Sequence, residues 1–372
     1  MREARAPEGA PPASSSIPTG PGHRTLLLTL LIAIGAGAVL LSPLIGAYPI
    51  PASTVLRILF HQLSGGAWFA NPCVGATSSV VQCQAFESIV WQERIPEILL
   101  AVVAGGALGI SGATLQGVFR NPLADPYLLG LSTGGALGAS MVFVFNIGER
   151  EANLALPLFV FLGAMGTGLA ILAAARGRYS SIETLLLTGV ALNSFLSAIL
   201  TLLLLYNPTG SLQVDFWLLG GLTASWTTDG LAFGVVLVGG TLLVLFGRQL
   251  NLMQLGNDVA QSMGVDTRKV RIQLLLLTSV VTAIAVAFTG IIGFVGLVSP
   301  HVVRRVAGRD YRIVLPGAVV VGATFLVVAR DLSYIVLPPS VLPIGIFTAF
   351  AGAPFFLYLL YRRRRSTTMG DL

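Results

Sequence analysis

Ten apolar stretches follow one another along the chain, at about residues 25–47, 95–117, 127–146, 154–175, 184–206, 229–247, 271–290, 292–307, 314–336 and 343–361. A helix needs about 20 apolar residues to cross a bilayer. Strands cross only as a closed barrel of short, alternating segments, and these runs are long and unbroken. The pattern predicts an all-α polytopic membrane protein with about ten transmembrane helices. The least marked boundary is Gly290–Gly293, where the seventh and eighth stretches meet.

Polar positions gather between the stretches. Residues 1–22, rich in Pro, Ala, Gly and Ser, read as a disordered tail. The first apolar run is longer than a signal-peptide core, so it reads as a retained span. That leaves one membrane domain, 23–365, and a short tail, 366–372. Inside the spans, polar groups are few and mostly hydroxylic. The fifth carries Thr188, Asn193, Ser197 and Thr201, the last three spaced by four and so on one helix face. Such a face either hydrogen-bonds a neighbouring helix or lines a neutral pathway for a bulky solute. Glu97, Glu183 and Asp229 lie near span ends, and Arg330 and Asp331 are adjacent near the end of the ninth. No proton relay or sodium cage is visible, which argues against an ion-coupled carrier.

Composition agrees. Hydrophobic residues make up 54% of the chain and charged residues 10%, against about 25% charged in soluble domains. With ten spans, Arg120, Arg248, Arg268, Lys269, Arg271, Arg304, Arg305, Arg309, Arg312 and Arg362–Arg365 fall on the side of both termini, and only Arg57, Arg94, Arg150 and Arg330 opposite. That asymmetry places the termini in the cytoplasm. It also explains the net charge of +6 without a nucleic-acid partner. Cys73 and Cys83 share the long outer loop, about 48–92, and are either a disulfide or two thiols. With three scattered histidines they make no metal site.

The sequence bears on two catalytic chemistries, serine hydrolysis and ATP hydrolysis. Gly130-Leu131-Ser132-Thr133-Gly134 and Gly109-Ile110-Ser111-Gly112 resemble serine-nucleophile turns, and His301 is the one histidine beside a span that could serve as base. Against an intramembrane protease, His301 sits next to Arg304 and Arg305, and Ser111 lies among Gly105, Gly109 and Gly112, a small-residue face for helix packing. The single lysine, Lys269, follows Thr267-Arg268, so the chain has no phosphate-binding G-x-x-x-x-G-K-[ST] loop. Any ATP site belongs to another polypeptide. Residues 247–269 form the longest inner loop. Asn257 or Asp258 can cap a short helix ending at Gly264. Leu252, Leu255, Val259 and Met263 give it an apolar stripe, and Asp258 and Asp266 favour a protein partner over lipid.

The segment "RIPEILLAVVAGGALGISGATLQGVFRNPLADPYLLGLSTGGALGA", followed by "LLLTGVALN", "FWLLGGL", "LNLMQLGNDVAQSMGV", "GIIGFVGLVSPHVVRRVAGRDYR" and "LPIGIFTAFAGAPFFLYLLYRRRR", resembles the permease family of ABC importers for iron chelates, haem and cobalamin, from about Arg94 to Arg365. The resemblance implies a ten-helix, non-catalytic permease of the cytoplasmic membrane, paired as a homodimer around a central pathway. It also implies two ATPase subunits holding ATP and magnesium, and an external substrate-binding protein. Leu250, Asn251, Leu252, Leu255, Gly256, Asp258, Ala260, Met263 and Gly264 match the ATPase-coupling helices. Asn121, Ser180 and Ser181 match a cytoplasmic gate, and Arg57 matches a region that meets the binding protein. Family members carry an acid-x-x-x-Arg pattern and a glutamate before "LPIG". Here Tyr334 and Val341 hold the arginine and glutamate positions, so this outer surface would dock differently or use Arg330 instead. A stand-alone carrier of a bulky neutral solute and the protease using Ser111 or Ser132 are the alternatives.

Overall fold

A computed structural model describes residues 21–66, 80–147, 154–174, 182–222, 224, 226 and 229–368. The helices are α1 (Pro21–Leu41), α2 (Ala52–Leu63), α3 (Val80–Glu87), α4 (Ile95–Phe119), α5 (Leu131–Phe145), α6 (Ala155–Ala174), α7 (Ile182–Tyr206), α8 (Pro208–Leu218), α9 (Asp229–Leu245), α10 (Gly247–Gln254), α11 (Asn257–Ser262), α12 (Thr267–Thr289), α13 (Val295–Ala307), α14 (Tyr311–Ile335) and α15 (Ile344–Thr368). The described residues contain no strand. Ser180, Ser181 and Cys73 lie outside the described residues, as does nearly all of the predicted N-terminal tail.

Each of the ten apolar stretches carries one helix, α10 and α11 fall in residues 247–269, where the sequence predicts a short helix, and α2, α3 and α8 come from segments read as loops. Among the described residues, six spans are long and apolar enough to cross a membrane alone, and α9 passes the same test only together with α10, from which it is bent by 46°. α5 and α15 contribute shorter apolar helices. The stretch 292–307 yields a helix of only 13 residues. At 1.5 Å per residue that is about 20 Å, short of the roughly 30 Å hydrocarbon core. Its start is an irregular segment, residues 290–294, entered at Gly290 (φ +66°) and left at Phe294 (φ +69°).

Backbone groups left free at membrane depth must be satisfied within the protein. The Tyr127 hydroxyl does this for Ile292. It donates to the Ile292 carbonyl at 2.7 Å and accepts from the Ile292 N–H at 2.8 Å. Gly221 N–H donates to Thr289 O at 3.0 Å, and Ile344 N–H to Gly220 O at 3.0 Å. Three irregular segments thus meet and complete one another's hydrogen bonds.

The core is built around α4. A Cβ on Gly105 would lie 2.3 Å from the Gly322 carbonyl, on Gly109 2.2 Å from the Ala318 carbonyl, and on Gly112 1.9 Å from the Gly296 carbonyl. The glycine face of α4 therefore lies backbone to backbone on α14 and the first turn of α13. Lipid gives helices no hydrophobic reason to associate, so close packing of this kind must hold them. α5 and α6 repeat the device at Gly134 and Gly163. One end of the bundle carries Arg120, α10–α11 and Arg304, and is here called the basic end. The opposite end carries α2 and Arg94.

Candidate functional site

At the basic end, α4 stops at Arg120, which adopts φ +51°. Glycine takes that left-handed conformation most easily. The arginine side chain has a use there: it donates to Asn257 Oδ1 on α11 at 2.7 Å. Gln254 Nε2 donates to the Gly117 carbonyl at 2.9 Å. Asn251 Nδ2 donates to Asp310 Oδ1 at 2.6 Å, and Asn251 Oδ1 accepts from Tyr311 N–H at 2.9 Å. The Asn251 amide, helped by Arg312 N–H, holds the Asp310 carboxyl below the usual range. Gln116 donates to the Gly296 carbonyl at 3.2 Å and accepts from Arg304. The α10–α11 pair therefore hangs from the ends of α4 and α14 by side-chain bonds at several points.

These contacts divide the predicted coupling residues. Leu250 and Ala260 are fully buried, so they anchor the pair and do not face a partner. Asn251 is spent on the Asp310–Tyr311 turn, and Leu252 is half-buried. Leu255, Val259 and Met263 are exposed by 63%, 44% and 54%, an apolar stripe with Asp258 also exposed. Gly256 (φ +121°) and Gly264 (φ +84°) make the turns. The expected cap is corrected: Gly256, not Asn257 or Asp258, precedes α11, because the Asn257 side chain binds Arg120.

Asn121, the described member of the predicted gate, accepts from Leu123 N–H at 3.0 Å and shapes the turn after α4. Asp125 accepts from Tyr127 N–H at 3.0 Å. Burial pushes its carboxyl up to about 6, against the pull of that N–H. Along α7, Thr188 and Asn193 are half-buried, and Ser197 and Thr201 are exposed. Asn193 Oδ1 points toward Gly130 and finds no partner among the described residues. The Thr201 hydroxyl donates to the Ser197 carbonyl at 2.9 Å, which softens the polarity of this face.

At the opposite end, Arg330 is fully buried. Its guanidinium reaches Glu97 at 3.0 Å and Asp331 at 3.1 Å, donates to the Ile45 carbonyl at 3.2 Å, and lies over the Tyr334 ring at 4.4 Å. Tyr334 donates to Glu97 at 2.7 Å, and Ser42 to Asp331 at 2.6 Å. Arg94, also buried, donates to the carbonyls of Pro43 at 3.0 Å and Tyr48 at 2.6 Å. Arg330 is thus corrected as a docking residue: the cluster consumes its charge inside the protein. Arg57 stays exposed on α2, whose Val55 and Ile58 are buried. Beside the cluster opens a cavity of about 680 Å³, lined by Glu97, Arg330, Tyr334, Phe143, Phe216 and Trp217. Cys83 is buried and disulfide-bonded.

The nucleophile candidates are not arranged for attack. Ser111 has no exposed surface and sits beside the Gly112–Gly296 contact, leaving no room for a substrate carbonyl. Ser132 lies in the first turn of α5. His301 stands edge-on to the Phe355 ring at 5.4 Å. Glu97 and Tyr127, unassigned from the sequence, carry the two polar networks. One signal was available for Glu97, since an acid and an arginine within apolar spans must pair or pay heavily for burial.

The model of the FecCD transport family matches residues 30–362. The chain is 38% identical over 324 residues to the ABC transporter permease protein YvrB of Bacillus subtilis, covering 86% of this chain and 89% of that protein. It is 39% identical to the hemin transport system permease protein HmuU of Yersinia pestis, over 73% of this chain and 82% of that one. To the cobalamin import system permease protein BtuC of Halobacterium salinarum it is 40% identical, over 74% of each. Among solved structures it is similar to an inward-facing metal-chelate type ABC transporter, at TM-score 0.74 and 28% identity, covering 91% of this chain and 99% of that one.

Proposed function

The chain belongs to the FecCD transport family, the permeases of ABC importers, and we propose that it carries a bulky metal chelate inward across the cytoplasmic membrane. The cargo class is a ferric siderophore, haem or a corrinoid; the named relatives move hemin, cobalamin and Fe(3+)-citrate. The basic end faces the cytoplasm, in keeping with the positive-inside rule. Two copies of the chain flank the pathway, with α7 toward it. Two ATP-binding-cassette subunits holding ATP and magnesium dock below, and a binding protein docks on the α2 side near Arg57.

The observation that carries this reading is the α10–α11 pair. It offers Leu255, Val259 and Met263 to a partner while it is bolted through Arg120, Gln254 and Asn251 to the ends of the core helices. Movement of a docked ATPase would reach α4 and α14 directly, and bistable helix packing would convert it into opening and closing at either end of the path. The chain itself supplies no bond-breaking chemistry.

The test uses proteoliposomes holding the chain, its ATPase and its binding protein, and measures uptake of ferric siderophore, haem and cobalamin. Uptake should need all three proteins and ATP. Replacing residues 255–263 with glycine should abolish uptake, and uptake that survived with the ATPase still bound would end the coupling role. Uptake by the chain alone, driven by an ion gradient, would establish the stand-alone carrier instead.

A further inference from the structure

The basic end also holds a cavity of about 470 Å³, and its charge is unusual. Four arginines line it: Arg120 from the end of α4, Arg304 and Arg305 from the last turn of α13, and Arg309 from the following turn. His301 and Gln254 line it too, but no carboxylate does. Among the described residues, none of the four arginines lies within 4 Å of a carboxylate oxygen. Arg304 is drawn inward by Gln116, and Arg309 is near enough to repel it. The positive-inside rule explains basic residues on this side of a membrane. It does not explain their convergence on one recess without a counter-charge, from two segments far apart in sequence, the end of α4 and the stretch from α13 into its following turn.

We propose that this recess receives a carboxylate side chain of the ATP-binding-cassette subunit, and so fixes the register in which that subunit docks. Arginine forks bind carboxylates through paired, charge-assisted hydrogen bonds. Two features favour a protein carboxylate over a lipid phosphate. The recess lies at the end of α4, the most buried helix of the bundle, and not on its flank. One wall is the coupling element itself, through Gln254 and through the bond from Arg120 to Asn257. The inference rests on the permease reading above and adds the chemistry of the contact.

Arg305 and Arg309 are the residues to vary, because both are exposed and neither donates a hydrogen bond to another described residue. The probe is the ATP-binding-cassette subunit that supports uptake when coexpressed with this chain. Its affinity for the detergent-purified full-length permease is measured across a salt series, with thermal unfolding to confirm that each variant folds. R305E/R309E should weaken the complex at least about tenfold and flatten its salt dependence, while R305K/R309K, which keeps the charge but loses the paired fork, should fall between that variant and wild type and keep the salt dependence. A lysine replacing one acidic residue of the ATPase should restore binding to R305E/R309E. Wild-type affinity in a folded R305E/R309E would overturn the assignment. So would loss of co-purified anionic phospholipid with ATPase binding unchanged, which would give the recess to a lipid headgroup. If the wild-type permease binds no such subunit, the permease reading falls and this one with it.

Discussion

Arg330 is enclosed by Glu97, Asp331 and the Tyr334 ring, with Arg94 close by. Two guanidiniums and two carboxylates balance within a low-dielectric setting, where a charge that loses its partner is costly. Arg330→Gln and Glu97→Gln should each lower stability by about 3–5 kcal/mol. Thermal unfolding in detergent measures this, and the double variant should lose less than the sum because the two residues are in contact. Asp125 makes a pH prediction of the opposite kind to a salt-bridged acid. Its native value of about 6 lies above its ordinary 3.8, so the folded protein binds a proton that the unfolded chain releases. Stability should therefore rise as pH falls through about 6 and level off near 4. Asp125→Asn keeps the capping oxygen and should be flat over that window; an unchanged slope would exonerate Asp125.

Element by element, the sequence was most informative where lengths and glycine spacing decide the outcome. All ten apolar stretches became helices, and the Gly105, Gly109 and Gly112 face packs as its spacing implied. Gly112→Ala should block assembly of the bundle, because the added methyl would lie 1.9 Å from backbone that cannot give way. Gly166→Ala on α6 meets nothing within 4 Å and should be neutral, or stabilising by about 0.5–1 kcal/mol. Yield of folded protein and unfolding temperature separate the two. What stayed illegible was the direction in which each helix faces. In lipid both the buried and the exposed flanks of a span are apolar, so periodicity cannot tell them apart. α4 and α7 look equally greasy, yet 83% of one span and 6% of the other are buried. The break at 290–294 was hidden for a related reason. Its polar backbone is satisfied by Tyr127, which lies 165 residues away in sequence.

For the whole molecule, the exposed flank of α7 decides how the parts are used. Leu187, Phe195, Leu202 and Leu205 are bare on this helix, and Ser197 and Thr201 are exposed among them. A lipid-facing helix has no need of hydroxyls at that depth, whereas a helix beside a wide neutral pathway does. α9 supplies the contrast, with Leu237 and Val238 exposed by 72% and 61%. If two copies of the chain enclose the path with α7 inward, a cysteine at Thr201 reaches water in the assembled importer, and one at Leu237 stays in hydrocarbon. A membrane-impermeant thiol reagent should label Thr201→Cys and spare Leu237→Cys. Bound chelate should slow the labelling of Thr201→Cys, since cargo and reagent would occupy the same space. Equal protection of both sites would return α7 to the lipid, and would leave the cavity beside Glu97 and Trp217 as the better place to look for the path.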